Sequence, residues 1–149
     1  MDTYEVKRVV RATPKRLFEA WLDSREHSDM TRRTATVSSV VGAQLTVLDG
    51  VVKGRNLEIE PYHRIVQTWR VVTVGGDAFD TQVEIVLSTT ADSDAIANTH
   101  DDGVTLTVRH SGLPRDQFIL SAEWWEERYF RPMDVYFAQG NLRFMRPSL

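Results

Sequence analysis

The chain has 149 residues, of which 42% are hydrophobic and 26% are charged, and its formal net charge is -3. This size and composition are typical of one soluble globular domain, so we expect a single domain over residues 1–149. The 18 Lys and Arg residues are scattered along the chain, which argues against a nucleic-acid-binding surface. The absence of Cys excludes disulfides and thiolate metal sites. No apolar segment is long enough for a signal peptide or a membrane span, so we predict a cytoplasmic protein with no membrane contact.

The first part of the chain predicts one strand followed by two short helices. Residues 4–11 alternate as a β-strand does. Thr13 and Pro14 together are typical of a helix start, because threonine caps the first turn and proline suits the first helical position. A second short helix is expected to begin at Asp23-Ser24 and to end near Met30.

The middle of the chain predicts an antiparallel meander, because runs rich in β-branched residues are separated by tight-turn signals. The predicted strands cover residues 36–41, 44–48, 51–60, 65–74, 81–90 and 104–110. Residues 91–102 are small, polar and acidic, and they predict a mobile hairpin loop whose acidic spacing is not that of a calcium loop. Residues 114–120 are expected to form a connector or a short helical turn.

The longest predicted helix covers residues 121–138, and Ser121 is its expected N-cap. Its large apolar side chains recur at four-residue spacing, which places Trp125, Tyr129, Met133 and Phe137 on one face. Pro132 lies inside this helix and cannot donate a hydrogen bond to the carbonyl of Arg128. We therefore expect a kink or a break between residues 128 and 132.

These elements predict an α+β fold. A helix this apolar needs a partner surface, and the strands supply one. We expect a curved antiparallel sheet of about six to seven strands wrapped around the long C-terminal helix, with two short helices after the first strand.

Three segments resemble motifs of the START-like (SRPBCC) helix-grip superfamily, and they occur in that superfamily's order: RATPKRLFEAWLD, GRNLEIEPYHRIVQTWR and GVTLTVRHSGLP. Together they resemble the branch homologous to the C-terminal domain of the activator of the heat-shock protein 90 ATPase. The resemblance covers nearly the whole chain. It implies a helix-grip fold, and it implies a small-molecule-binding protein or a chaperone activator. The chain departs from the family pattern in two places. Segment 27–38 lacks an aromatic residue, and Gln67 replaces a phenylalanine.

Strand parity and helix spacing select the candidate wall of a cavity between the sheet and the helix. His110 shares a face with apolar residues of the last strand, and Gln67 shares a face with Trp69. A buried amide needs a hydrogen-bond partner, which water or a ligand would supply. The alternatives are ordinary core packing for the helix residues, a His110 that bonds to a backbone carbonyl, and a Gln67 that is exposed to solvent or pairs with a neighbouring side chain. The predicted ligand-binding residues are Gln67, Trp69, His110, Trp125, Tyr129, Met133 and Tyr136.

No metal or cofactor is predicted. The four histidines fall in separate segments without ligand spacing. The chain has no phosphate-binding glycine loop, no dinucleotide-binding motif and no nucleophile elbow.

Three functions are consistent with these residues. The first is a protein that binds a small apolar or amphipathic molecule in the cavity. The second is an enzyme of the cyclase, dehydratase or hydrolase type, in which His110, Tyr129 or Gln67 would polarise a carbonyl. The third is an interaction module that stimulates a chaperone ATPase, and it ranks last because no exposed patch is evident. An edge strand leaves a homodimer open.

Overall fold

The structure, a computed structural model, describes residues 2–72, 78–89, 103–113 and 121–145. Its elements, in chain order, are β1 (Asp2–Val10), α1 (Pro14–Trp21), α2 (Ser24–Thr31), β2 (Gln44–Val47), a 3-10 turn (Leu48–Gly50), β3 (Val52–Glu60), β4 (Arg64–Val72), β5 (Ala78–Thr89), β6 (Val104–Leu113), α3 (Ala122–Trp125), a π turn (Glu126–Phe130) and α4 (Arg131–Met145). We refer to α3, the π turn and α4 together as the long helix. The predicted loop 91–102 and connector 114–120 lie outside the described residues.

All strand pairs are antiparallel, and the sheet order is β1-β6-β5-β4-β3-β2. The long helix covers one face of this sheet, which we call the inner face, and the opposite face is the outer face. The predicted helix-grip fold is confirmed. No helix in the described part of the chain is long and apolar enough to cross a membrane.

The helix starts follow the predicted capping residues. The side chain of Thr13 accepts a hydrogen bond from the backbone N–H of Arg16, and Pro14 occupies the first turn of α1. Asp23 caps α2 by accepting from Glu26. Ser121 caps the long helix, as predicted, by accepting from the N–H of Trp124.

The predicted strand 36–41 is wrong. Only an isolated bridge from Thr36 to Thr46 forms there. The reason is Asn56, whose buried side-chain amide donates to the carbonyls of Ser38, at 2.9 Å, and Val40, at 3.0 Å. These carbonyls bond to a side chain instead of a neighbouring strand, so the β-branched run follows an irregular path across the end of the sheet.

The long helix does not break at Pro132. The backbone instead leaves α-helical hydrogen bonding one turn earlier, where the N–H of Arg131 bonds to the carbonyl of Glu126. This i to i+5 bond closes the π turn, and the chain keeps helical dihedral angles through Arg131. The irregularity predicted around Pro132 is therefore a π turn that inserts one extra residue into the helix above the sheet.

Ion pairs attach the long helix to the first strand. Arg8 of β1 donates to both carboxylate oxygens of Glu126 and also pairs with Asp134. Each partner is partly exposed, so the contribution of each pair to stability is at most about 1 kcal/mol. The contacts fix the direction of the helix over the sheet more than they stabilise the fold.

Candidate functional site

The predicted aromatic wall residues meet at the centre of the inner face. The rings of Trp69 and Trp125 stack with centroids 5.2 Å apart, and Tyr129 lies 4.9 Å from Trp125. Trp21 of α1 stacks on the other side of Tyr129 at 5.0 Å. These four side chains are at most 1% exposed. Met133, one turn along the helix, is fully buried as well. The sheet, the first helix and the long helix thus share one aromatic cluster.

His110 is hydrogen-bonded to this cluster through both ring nitrogens. Its Nδ1 lies 3.2 Å from the indole N–H of Trp125, which can only donate, so the ring proton must be on Nε2. Nε2 then donates to Oγ1 of Thr81 at 2.8 Å, and that hydroxyl donates to the carbonyl of Trp69. Burial lowers the pKa of His110 to about 3. The ring is therefore neutral, and neither nitrogen is free to exchange a proton with a ligand.

Gln67 is also buried, and both its amide oxygen and its amide nitrogen have hydrogen-bond partners. Its Oε1 accepts from the indole N–H of Trp69 at 3.1 Å and lies 3.5 Å from the indole nitrogen of Trp21. Its Nε2 donates to Oδ1 of Asn56 at 3.0 Å. The amide thus joins two tryptophans to the asparagine that holds the irregular segment after α2. At position 67, where the motif noted above has a phenylalanine, this chain has an amide that makes hydrogen bonds to its neighbours.

His27 belongs to the same network, and the sequence did not indicate it. Its Nδ1 donates to the carbonyl of Trp21 at 2.8 Å, which leaves Nε2 to accept from the hydroxyl of Tyr129 at 2.9 Å. Burial lowers the pKa of His27 to about 4 and raises the pKa of Tyr129 well above its ordinary value. His27 and Tyr129 are 102 positions apart in the chain, so no local spacing could have indicated the pair.

Tyr136, the remaining predicted wall residue, lies apart from the others. It is half-buried at the edge where α4 meets α1 and α2. Its hydroxyl donates to Glu26 at 2.8 Å and accepts from Arg16 at 3.3 Å. The structure therefore brings six of the seven predicted residues together and places Tyr136 in a surface contact between helices.

Tyr4 carries an unsatisfied polar atom next to the cluster. Its hydroxyl oxygen is buried and is, among the residues that the structure describes, the one such side-chain atom without a hydrogen-bond partner. The Tyr4 ring is 6.0 Å from the ring of His110, its cross-strand partner. Burial raises the pKa of Tyr4 above its ordinary value, and the neighbouring Trp125 indole opposes this to a smaller extent. That indole N–H already donates to His110.

The described residues contain no group of three His, Asp or Glu side chains that could hold a metal ion. A separate groove of about 930 Å³ lies on the outer face, away from the long helix. Thr36 and residues of β2 to β6 line it, and besides polar and charged residues they include Leu45, Trp69 and the glycines at 54 and 112. The sequence analysis did not identify this groove, because its residues lie on different strands and its shape depends on the twist of the sheet.

Comparison with known proteins places this geometry in a family. Residues 11–138 match the family model described as activator of Hsp90 ATPase homolog 1-like protein. The chain belongs to this family. The resemblance noted from the three sequence motifs is thereby confirmed.

A curated relative is the activator of 90 kDa heat shock protein ATPase homolog of Dictyostelium discoideum. It is 24% identical over 127 residues, which are 83% of this chain and 30% of the relative. The chain therefore spans less than a third of that protein's length.

Solved structures share the fold. An HSP90 activator from Plasmodium falciparum has a TM-score of 0.71 at 17% identity, over 91% of this chain and 96% of that one. DynU16, a protein of the dynemicin biosynthetic locus, has a TM-score of 0.70 at 21% identity, over 94% and 48%. An Aha1 dimer from Colwellia psychrerythraea has a TM-score of 0.59 at 11% identity, over 97% and 93%. At these identities the likeness concerns the fold.

Proposed function

We propose that this protein binds a small apolar or amphipathic molecule between the sheet and the start of the long helix. The observation that carries the proposal is the buried, unpaired hydroxyl of Tyr4. A buried hydroxyl without a partner costs about 1–3 kcal/mol. A ligand carbonyl or hydroxyl oxygen would accept its hydrogen bond and recover that energy. The surrounding aromatic rings would supply the apolar part of the site.

The packing of the cluster limits where such a ligand can lie. The rings at the centre of the cluster contact one another, and their polar atoms are already paired. The ligand is therefore expected at the Tyr4 end, beside His110 and Trp125, and not at the centre of the predicted wall. Because the Tyr4 hydroxyl is enclosed, binding requires the start of the long helix to move away from β1. The π turn follows directly and supports this motion, since π turns occur often at functional sites.

A neutral fluorescent probe with a carbonyl group tests the proposal. Prodan is suitable because its emission depends on polarity and its ketone can accept from Tyr4. Excitation of the tryptophans should produce energy transfer to bound Prodan. Tyr4→Phe should weaken Prodan binding roughly fivefold or more, because the variant has no unpaired hydroxyl whose cost of about 1–3 kcal/mol Prodan could recover.

Tyr62→Phe is the matched control, because Tyr62 loses the same hydroxyl but is exposed in the turn after β3. It should bind Prodan as the natural protein does. Absence of energy transfer in the natural protein, or equal binding by the Tyr4→Phe variant, would contradict the proposal. Native mass spectrometry of protein from its own host would then identify any molecule that co-purifies.

Catalysis receives no support from the described residues. It requires at least two of the groups on His110, Tyr129 and Gln67 to face one common point. Each of them is instead already bonded to other side chains.

Stimulation of a chaperone ATPase is the second candidate function, and membership in the family favours it. The Dictyostelium relative is named as such an activator, but this chain corresponds to only 30% of it. If the function is retained, the purified chain should bind a heat-shock protein 90 in a pull-down and raise its ATP hydrolysis rate. Loss of both effects would remove this candidate.

We also propose that the protein forms a homodimer, since one protein of the same fold is an Aha1 dimer. The two edge strands are β1 and the four-residue β2. Edge-to-edge pairing would use β1, the longer of the two. Light scattering across a range of protein concentrations distinguishes a monomer from a dimer.

A further inference from the structure

The outer face of the sheet carries its charges in two distinct regions. In one region, Arg64 and Arg109 are surrounded by carboxylates. Arg64 pairs with Glu58, Glu60 and Glu84, and Arg109 pairs with Glu84 and Glu5. Both arginines there already have carboxylate partners within the protein, so neither offers a free positive charge to an external partner.

The groove on the same face is different. Three cations line it, Lys53, Arg55 and Arg70, against one carboxylate, Asp80, which pairs with Arg70. Arg55 uses one guanidinium nitrogen to donate to the carbonyl of Gly42. Lys53 makes no ion pair with any residue that the structure describes. The groove is therefore locally positive in a chain whose net charge is -3.

The positions of these cations are unfavourable for the sheet itself. Lys53 and Arg70 are direct cross-strand partners of β3 and β4. Like charges in this arrangement destabilise an antiparallel pair. Both side chains are exposed, and the ladder between β3 and β4 continues on either side of them, as far as an irregularity between Asn56 and Glu58. Asp80 already offsets the charge of Arg70, and an anionic partner in the groove would offset the charge of Lys53.

The shape of the groove fits an extended segment. One row of register partners crosses it from strand to strand: Gln44, Arg55, Thr68, Gln82 and Ser111. Five strands about 4.8 Å apart span about 19 Å, the length of about six residues of extended peptide at about 3.3 Å each. At Gly54, below this row, a Cβ atom would lie 1.7 Å from the carbonyl oxygen of Thr68, so only glycine permits this backbone path.

We propose that the outer-face groove binds an acidic peptide segment of a partner protein in extended conformation. Carboxylates of the peptide would pair with Lys53, Arg55 and the unused guanidinium nitrogens of Arg70. Thr68 and Gln82 would donate hydrogen bonds, and the alkyl parts of the long side chains would contact aliphatic residues. The site lies on the opposite face from the proposed ligand site and is independent of it.

Fluorescence anisotropy with a labelled peptide, Glu-Leu-Glu-Glu-Leu-Glu, tests this proposal. Binding is expected at about 0.05 M salt and should weaken at about 0.2 M, because exposed charges are screened. Lys53→Glu should weaken binding roughly fivefold or more, since it removes one attractive pair and adds a repulsive one. Lys15→Glu is the matched control. It changes the net charge equally, but Lys15 is exposed on α1, so binding should change less than about twofold.

Several outcomes would overturn the proposal. Equal effects of the two Lys→Glu substitutions would show that net charge alone controls binding. Equal binding of the peptide with glutamine in place of glutamate would show that the cations are not used. Displacement by inorganic phosphate at the same concentration as unlabelled peptide would indicate a simple anion site. Unchanged Prodan binding by the Lys53→Glu variant is expected and separates this test from that of the inner face.

Discussion

The polar side chains at the centre of the inner face and those in the outer groove are used in opposite ways. Beside the inner face, Gln67, His27 and His110 bond to tryptophans, a tyrosine and other buried groups. Their hydrogen bonds hold the fold together, so these groups are not available to a ligand. In the outer groove, Lys53 has no partner among the described residues and Arg70 stands opposite it. The paired or unpaired state of a polar group therefore indicates a binding role better than its burial or its chemistry does.

The largest effect should come from removing an aromatic ring from the inner face. Trp69→Ala should lower the free energy of unfolding by about 3–5 kcal/mol, because a fully buried ring leaves a cavity. Gln82→Ala, on the outer face of the adjacent strand, should change it by less than about 0.5 kcal/mol. Urea denaturation measures both. Similar values for the two variants would contradict the assignment of the inner face as the core.

Gln67→Leu should be nearly as costly, although it replaces an amide by an apolar side chain of similar size. It removes the acceptor for the Trp69 indole and the donor for Asn56. Each group left unpaired costs about 1–3 kcal/mol, so the loss should be at least about 2 kcal/mol. A neutral or stabilising effect in urea denaturation would mean that the network does not hold the core together.

The two buried histidines should make stability depend on pH. Burial lowers the pKa values of His27 and His110 in the folded protein to about 4 and about 3, below the ordinary value of a histidine. The unfolded chain therefore binds more protons between about pH 6 and pH 4. Stability is complete above about pH 6.5 and falls as the pH decreases through that window, at up to about 1.4 kcal/mol per pH unit for each histidine.

Denaturant unfolding between pH 8 and pH 5 checks this expectation. His27→Gln should lower the number of protons that the protein takes up on unfolding at about pH 5 by about one, whatever its effect on stability at pH 8. The slope of the free energy of unfolding against pH measures this number. A pH profile that is flat, or identical in the variant, would show that these rings are not held in the neutral form by the fold.

The smallest effect should come from the groove. Lys53→Glu should change the free energy of unfolding by less than about 0.5 kcal/mol, and in the stabilising direction, because it replaces repulsion from Arg70 by attraction. A clear loss of stability in urea would mean that Lys53 serves the fold, and the groove would lose its strongest sign of a binding role.

The sequence predicted the fold well because the spacing of the apolar residues matches the buried faces of the strands and helices along most of the chain. Alternation along β6 placed Val104, Leu106, Val108 and His110 inside, and all four are fully buried. The predicted strand 36–41 failed because the side chain of Asn56, 16 and 18 positions away from the carbonyls it binds, competes with a neighbouring strand. The β-strand propensity of residues 36–41 cannot show this, because the competing side chain lies elsewhere in the chain.

The candidate site was predicted less completely, for a similar reason. Parity and spacing selected the aromatic rings, but they could not show that His110, Gln67 and His27 would satisfy one another. They also could not select Tyr4, whose importance comes from a partner that it lacks. Hydrogen-bond satisfaction depends on atoms brought together by the whole fold.

A titration with Prodan, followed by the four tryptophan indole N–H signals in a nitrogen–proton NMR spectrum, can locate a ligand between the sheet and the long helix. The Trp125 indole signal should shift most, because its N–H bonds to His110 beside Tyr4, and the Trp21 signal should shift least. The shift should become smaller in the Tyr4→Phe variant. Unchanged indole signals, or a shift of the Gly54 amide in the outer groove instead, would contradict a ligand site between the sheet and the long helix.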